Sequence, residues 1–106
     1  MIFEWDKEKN KINKEKHKLS FETAKDVFLD PEMLCKLDRI KDNEQRWHAI
    51  GCIEKEIVIL TVYTLRMQSG KDVIRIISAR KANKKERNLY EIEKERVKRI
   101  SSDERY

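Results

Sequence analysis

At 106 residues the chain has room for one domain with a modest core, since a chain of this size buries roughly two-thirds of its unfolded surface, and this disfavours a large enzyme. Lys and Arg outnumber Asp and Glu by 25 to 20, and the net charge of +5 favours an acidic partner, nucleic acid above all, over a membrane surface or an acidic protein. The start, MIFEWDKEKNK, lacks a signal-peptide core and the longest apolar run, Ile57 to Leu60, is too short for a bilayer, so a cytoplasmic protein is expected.

Ile2, Phe3 and Trp5 make a short apolar start, read as an edge strand, and Asp6 is placed to cap a helix beginning with Lys7 to Lys11. Trp5, Ile12 and Leu19 recur every seven residues as a thin apolar stripe, while Lys9, Asn13, Lys16 and His17 share another face. Ser20 can cap a second helix in which Phe21, Ala24 and Phe28 face a core until Asp30-Pro31 ends it. Met33, Leu34 and Leu37 predict a short strand, and Lys36 to Glu44 reads as a polar turn.

From Gln45 to Ile53 the alternation puts Trp47, Ala49 and Ile53 on one face of a strand and Arg46, His48, Ile50 and Cys52 on the other, with a bulge expected at Gly51. Glu54-Lys55 is read as a tight hairpin into a strand from Ile57 to Leu65, in which Val58, Leu60 and Val62 share a face that ends in Thr64 and Arg66. After a turn at Gln68 to Lys71, Val73 to Ile77 form another strand with one charge, Arg75, on a sheet face. That residue is expected either in an ion pair or against a phosphate. Asn83 followed by Glu86 is a capping-box variant that starts the last helix. Arg80, Lys81, Lys84, Lys85 and Arg87 crowd its first turn, where unpaired N–H groups suit a polyphosphate. That helix carries Leu89, Ile92, Val97 and Ile100, and residues 101–106 are expected to fray.

The order predicts an α+β fold: two N-terminal helices, a three- or four-stranded antiparallel sheet and a C-terminal helix, with helices on one sheet face and the other free. On the free face or its rim the pattern can gather Arg46, His48, Tyr63 and Arg75, with Arg66 and Arg80 at strand ends. A metal-free ribonuclease needs a base for the 2′-hydroxyl, cations for the phosphate and an acid for the leaving oxygen. Arg46, Arg66, Arg75 and Arg80 are candidate clamps, His17 or His48 candidate proton carriers, and Glu44 or Tyr63 candidate assistants. Each has a bland reading beside it. A lone His is more often a hydrogen-bonded surface residue, and an Arg near a Glu more often forms an ion pair. Cys35 and Cys52 lack metal-ligand spacing, so no metal and no cofactor is expected. The competing reading is a non-catalytic basic domain that binds nucleic acid or an acidic protein.

Three stretches, FEWDKEKNKINKEKHKLSFETAKDVFLDP, DNEQRWHAIG and ISARKANKKERNLYE, stand in the order and spacing of the BrnT family of bacterial type II toxins, which the chain resembles over about residues 3 to 91. Trp5, Asp6, Lys9, Asn13, Lys16 and His17 match the family's first motif, and Glu44, Arg46 and Gly51 its central one. Arg66, Arg75, Ser78, Ala79, Arg80, Glu86, Arg87 and Tyr90 match its last. The resemblance implies a RelE-like domain over residues 1–100 that cleaves RNA, ribosome-bound mRNA included, and so blocks translation. It also implies neutralisation by a ribbon-helix-helix, BrnA-like antitoxin, two toxin copies within that complex, and contact with operator DNA only through the antitoxin. On this view His17, Glu44, Arg46, Arg66, Arg75 and Arg80 are the catalytic candidates, and Lys9, Lys16, His48, Lys81, Lys84 and Arg87 the RNA-binding ones. Lys7 stands where the family often has Pro, and residues after Glu91 extend past its usual end.

Overall fold

Strict alternation along the middle of the chain produces a five-stranded sheet in the computed structural model, which describes residues 1–54 and 56–103. The elements are β1 (Ile2–Glu4), α1 (Lys7–His17), α2 (Phe21–Ala24) running into a 3-10 turn (Lys25–Leu29), β2 (Leu34–Lys41), β3 (Glu44–Glu54), β4 (Ile57–Gln68), β5 (Lys71–Lys81) and α3 (Lys84–Asp103). The strand order is β1-β5-β4-β3-β2, antiparallel throughout except that β1 runs parallel to β5. The expected all-antiparallel sheet of three or four strands is therefore a mixed sheet of five. β1 adds three residues, too few for periodicity to specify a partner. β2 is the second difference: it continues to Lys41, through most of the run read as a turn, because an edge strand can be polar on both faces.

The helix starts follow their side chains. Asp6 Oδ1 accepts the N–H groups of Glu8 and Lys9 at 2.8 and 3.0 Å. Ser20 Oγ accepts from Thr23 N–H, and Asn83 and Glu86 form the reciprocal box, at 2.8 and 2.9 Å. α1 stops at His17, with Lys18 in the left-handed region at φ 56°. Ile12, expected on an apolar stripe, is exposed. The second helix is a single α turn before the chain tightens into 3-10 geometry.

One sheet face meets α2 and the 3-10 turn. Phe21, Ala24 and Val27 pack there on Ala49, Ile59, Tyr63, Ile74, Ile76 and Ala79. Gly51 belongs to this contact and not to a bulge: a Cβ at this position would lie 2.8 Å from Val27 Cγ2. The bulge in β3 falls instead between Cys52 and Glu54. α3 crosses to the other face, where Tyr90 joins Ile50 and Leu60, so the face expected to be free of helices is covered at one end. Residues 101–103 continue α3, whereas residues 104–106, and Lys55 of the predicted hairpin, lie outside the described residues.

Two polar side chains finish the ladder where strands run out. Beyond β1 the outer edge of β5 is bare, and Asn13 of α1 fills it. Its Nδ2 donates to Ala79 O (2.8 Å) and Leu19 O (2.9 Å) while its Oδ1 accepts from Ala79 N–H (3.1 Å). β2 first pairs with β3 at Ile50, and past that point Cys52 N–H donates to Asp30 Oδ2 (2.8 Å). Tyr90 O–H donates to the same oxygen (2.6 Å), tying α3 to the 3-10 turn. Burial pushes the Asp30 carboxyl up, but the hydrogen bonds from Cys52, Tyr90 and Glu32 outweigh it and hold it below the usual range. Burial and the neighbouring Asp30 push the Tyr90 hydroxyl up.

Candidate functional site

The sheet face that α3 leaves open is cationic. Register places Glu4, Arg75 and Thr64 side by side on β1, β5 and β4. Continuing the β3 register by one residue sets Arg46 opposite Thr64, and Arg39 of β2 pairs with Arg46. Arg66 stands two residues beyond Thr64 on the same face. His48 lies two residues from Arg46, between Lys36 and Val62. Arg46, His48, Arg66, Arg75 and Arg80 thus come from three strands onto one surface. Tyr63 does not join them. It points into the helix-covered core, where burial and a contact with Cys35 Sγ at 3.3 Å push its hydroxyl up.

The arginines are committed to different degrees. Arg80 donates twice to Glu86, at 2.8 and 2.9 Å, and once to Lys81 O, joining the end of β5 to α3. The pair reinforces both charges: Glu86 raises the Arg80 guanidinium's affinity for its proton, and Arg80 holds the Glu86 carboxyl below its usual range. Arg75 and Arg66 flank Glu4 Oε1 at 3.4 and 3.6 Å, longer than hydrogen bonds, so two guanidiniums share one carboxylate. Arg46 has a buried Nε without a hydrogen-bond partner and no ion pair among the described residues. Thr64 Oγ1, in the same row, is also buried and unpartnered.

The remaining sequence candidates are spread more widely. Glu44 opposes Lys41 at the far end of the β2–β3 hairpin. Lys9, Lys16 and His17 belong to α1, which contacts β5 by its edge, and among the described residues no hydrogen bond or ion pair connects His17 with the arginines. Lys81, Lys84 and Arg87 are exposed around the start of α3. The polyphosphate cradle expected there is partly filled from within, since Asn83 Oδ1 takes the Glu86 N–H. Sequence reading passed over Asp38, in the run taken for a turn. Its Oδ2 accepts from Arg39 Nε at 2.6 Å and lies 3.4 Å from His48 Nε2. The hydrogen bond from Arg39 holds the Asp38 carboxyl below its usual range.

Among the described residues no three His, Cys, Asp or Glu side chains converge to hold a metal ion, and no helix is long and apolar enough to cross a membrane. A cavity of about 470 Å³ lies elsewhere, between Asp30 and Tyr90. Among the described residues Asp26, Asp30, Glu32 and Glu54 line it with Lys94, the wrong balance for a polyanion.

Strand register and charge define a small basic α+β protein with a cationic face on the open side of its sheet. Comparison with known proteins makes this specific. Residues 5–86 match the family model of the ribonuclease toxin BrnT of type II toxin-antitoxin systems. Among solved structures, the Brucella abortus ribonuclease toxin BrnT is similar at a TM-score of 0.56 and 27% identity, over 79% of this chain and all of that one. No curated protein matches. The chain belongs to the BrnT family, the ribonuclease toxins of type II toxin-antitoxin systems, and an antitoxin is the partner that this membership implies.

Proposed function

We propose that the protein cleaves RNA on the open face of its sheet and so arrests translation in the cytoplasm, until a ribbon-helix-helix antitoxin covers that face. The observation that carries this reading is Arg46. A guanidinium on a sheet face, with Nε shielded from water and no ion pair among the described residues, is costly unless a ligand brings the anion. Arg66 and Arg75 add to the demand, because Glu4 answers only one of their two charges. A sugar-phosphate backbone lying along the row from Arg75 to Arg46 supplies the missing negative charge. Cleavage by the neighbouring 2′-hydroxyl then needs cations around the phosphate and a proton carrier, and no step of it calls for a metal ion. In this reading residues 1–100 act as one RelE-like toxin domain, and operator DNA is read by the antitoxin, which holds two toxin copies.

The test is incubation of purified protein, in EDTA, with free RNA and with mRNA on ribosomes. New fragments ending in a 2′,3′-cyclic phosphate are expected in at least one of the two. Salt-sensitive binding with intact RNA in both would instead mark a non-catalytic basic domain.

A further inference from the structure

The β2–β3 pairing contains an irregularity whose effect is chemical. Leu37 opposes Trp47 and the next paired residue, Arg39, opposes Arg46, which leaves Asp38 as the extra residue of a bulge. Such a bulge re-aims side chains, and here both Asp38 and Arg39 turn toward the open face. Asp38 Oδ2 sits between Arg39 Nε, at 2.6 Å, and His48 Nε2, at 3.4 Å. The His48 side chain is only 17% exposed, and it lines a cleft of about 260 Å³ between the strands and the first turn of α3. Arg46 stands two residues along β3 on the same face, roughly 7 Å away by strand rise.

We infer that His48 and Asp38 are the proton-transfer pair of this site: His48 takes the proton of the ribose 2′-hydroxyl, and Asp38 positions its ring. The inference rests on the RNA-cleaving reading above and names the proton carrier within it. At 3.4 Å from Nε2 the Asp38 carboxylate favours the tautomer that carries its proton on that nitrogen, which leaves the lone pair on Nδ1. The 2′-oxygen gives its proton to Nδ1 and bonds to phosphorus, and the bond from phosphorus to the 5′-oxygen breaks. The leaving 5′-oxygen takes a proton from water, and the imidazolium neutralises the hydroxide so formed. Nothing is oxidised or reduced. The charged groups around the ring are Asp38 and Lys36 from β2, Lys85 and Glu86 from α3, and Arg80 behind Glu86, while β4 presents the apolar Leu60 and Val62. Arg39, through its hydrogen bond, keeps Asp38 charged. Asp38 is thus a positioning residue, and His17, at the end of α1, is left out of the chemistry.

Three measurements test the pair. His48→Gln is expected to lower the rate of RNA cleavage by about 100-fold while a 2′-O-methyl RNA, which cannot be cut, still binds within about twofold. Asp38→Asn is expected to cost about tenfold in the rate of cleavage while 2′-O-methyl RNA still binds within about twofold, a loss confined to turnover. Nitrogen-detected NMR of the parent protein is expected to show His48 as the Nε2–H tautomer. Full cleavage by His48→Gln, or its loss in His17→Gln alone, assigns the proton elsewhere and overturns the pair. An Nδ1–H tautomer overturns it whatever the cleavage result. A parent protein that leaves both free and ribosome-bound RNA intact overturns the nuclease reading itself, and that outcome is distinct from the other two.

Discussion

Under α2 and the 3-10 turn, Phe21, Ala24, Val27, Ala49 and Ile59 are all fully buried, whereas a few ångströms away the same strands present Arg46, His48, Arg66 and Arg75 to the opposite side. The first surface is almost entirely apolar and is closed by helices. The second shares one Glu4 between two arginines and leaves Arg46 without an ion pair among the described residues. Apolar burial near 25 cal/mol per Å² stabilises the first, while desolvated and unmatched cations make the second costly. A sheet that tolerates such a cost on one side has its stability concentrated on the other. If the open face is the RNA site proposed above, function and fold lie on opposite sides of one sheet, and each should be open to change with little effect on the other.

The largest expected effect is on the closed side. Phe21→Ala should destabilise the protein by about 3–5 kcal/mol, read as a fall in the denaturant midpoint, with RNA cleavage lost only in proportion to the unfolded fraction. A mild effect there would mean that the two sides share the load. On the open side, Arg46→Ala should weaken RNA binding about tenfold, or about 1.4 kcal/mol, and reduce the salt slope by about one unit. Its melting should stay within about 0.5 kcal/mol of the parent; marked destabilisation would show that Arg46 serves the fold instead. The smallest effect concerns Asp30. A carboxylate whose folded pKa is lowered contributes stability that is complete above its unfolded value, about 3.9, and is lost as pH falls through the lowered folded value. Tyr90→Phe removes one of the bonds that lower it, so the acid melting limb should become shallower. An unchanged limb would place the acid sensitivity elsewhere.

How much of this was legible in the sequence depended on the range over which each signal acts. Asn83 and Glu86 satisfy each other across three residues, so their spacing alone announced the start of α3. The alternation from Arg46 to Ile53 likewise assigned both faces of β3. The role of Gly51 was hidden because it depends on Val27, brought close by the tertiary fold. Of the arginines, only the tertiary structure separates Arg80, fastened twice to Glu86, from Arg46, which has no ion pair among the described residues. Asp38 was lost for a related reason: a polar edge strand has no hydrophobic period to distinguish it from a turn, and the bulge that aims its carboxylate leaves no local signature. The placement of α3 was missed because Leu89 and Ile92 carry the apolar signal along that helix, while the residue that docks it is Tyr90.

Asn13 finally bears on how the molecule meets others. A primary amide has one donor side and one acceptor side, the same pair that a neighbouring peptide group offers, and from α1 it occupies the border of β5 as a borrowed rung. A carboxylate of identical shape cannot both give and receive there, so Asn13→Asp should unseal that border and expose it to strand exchange between molecules. The opposite border, β2, is guarded by repulsion among Lys36, Arg39 and Lys41.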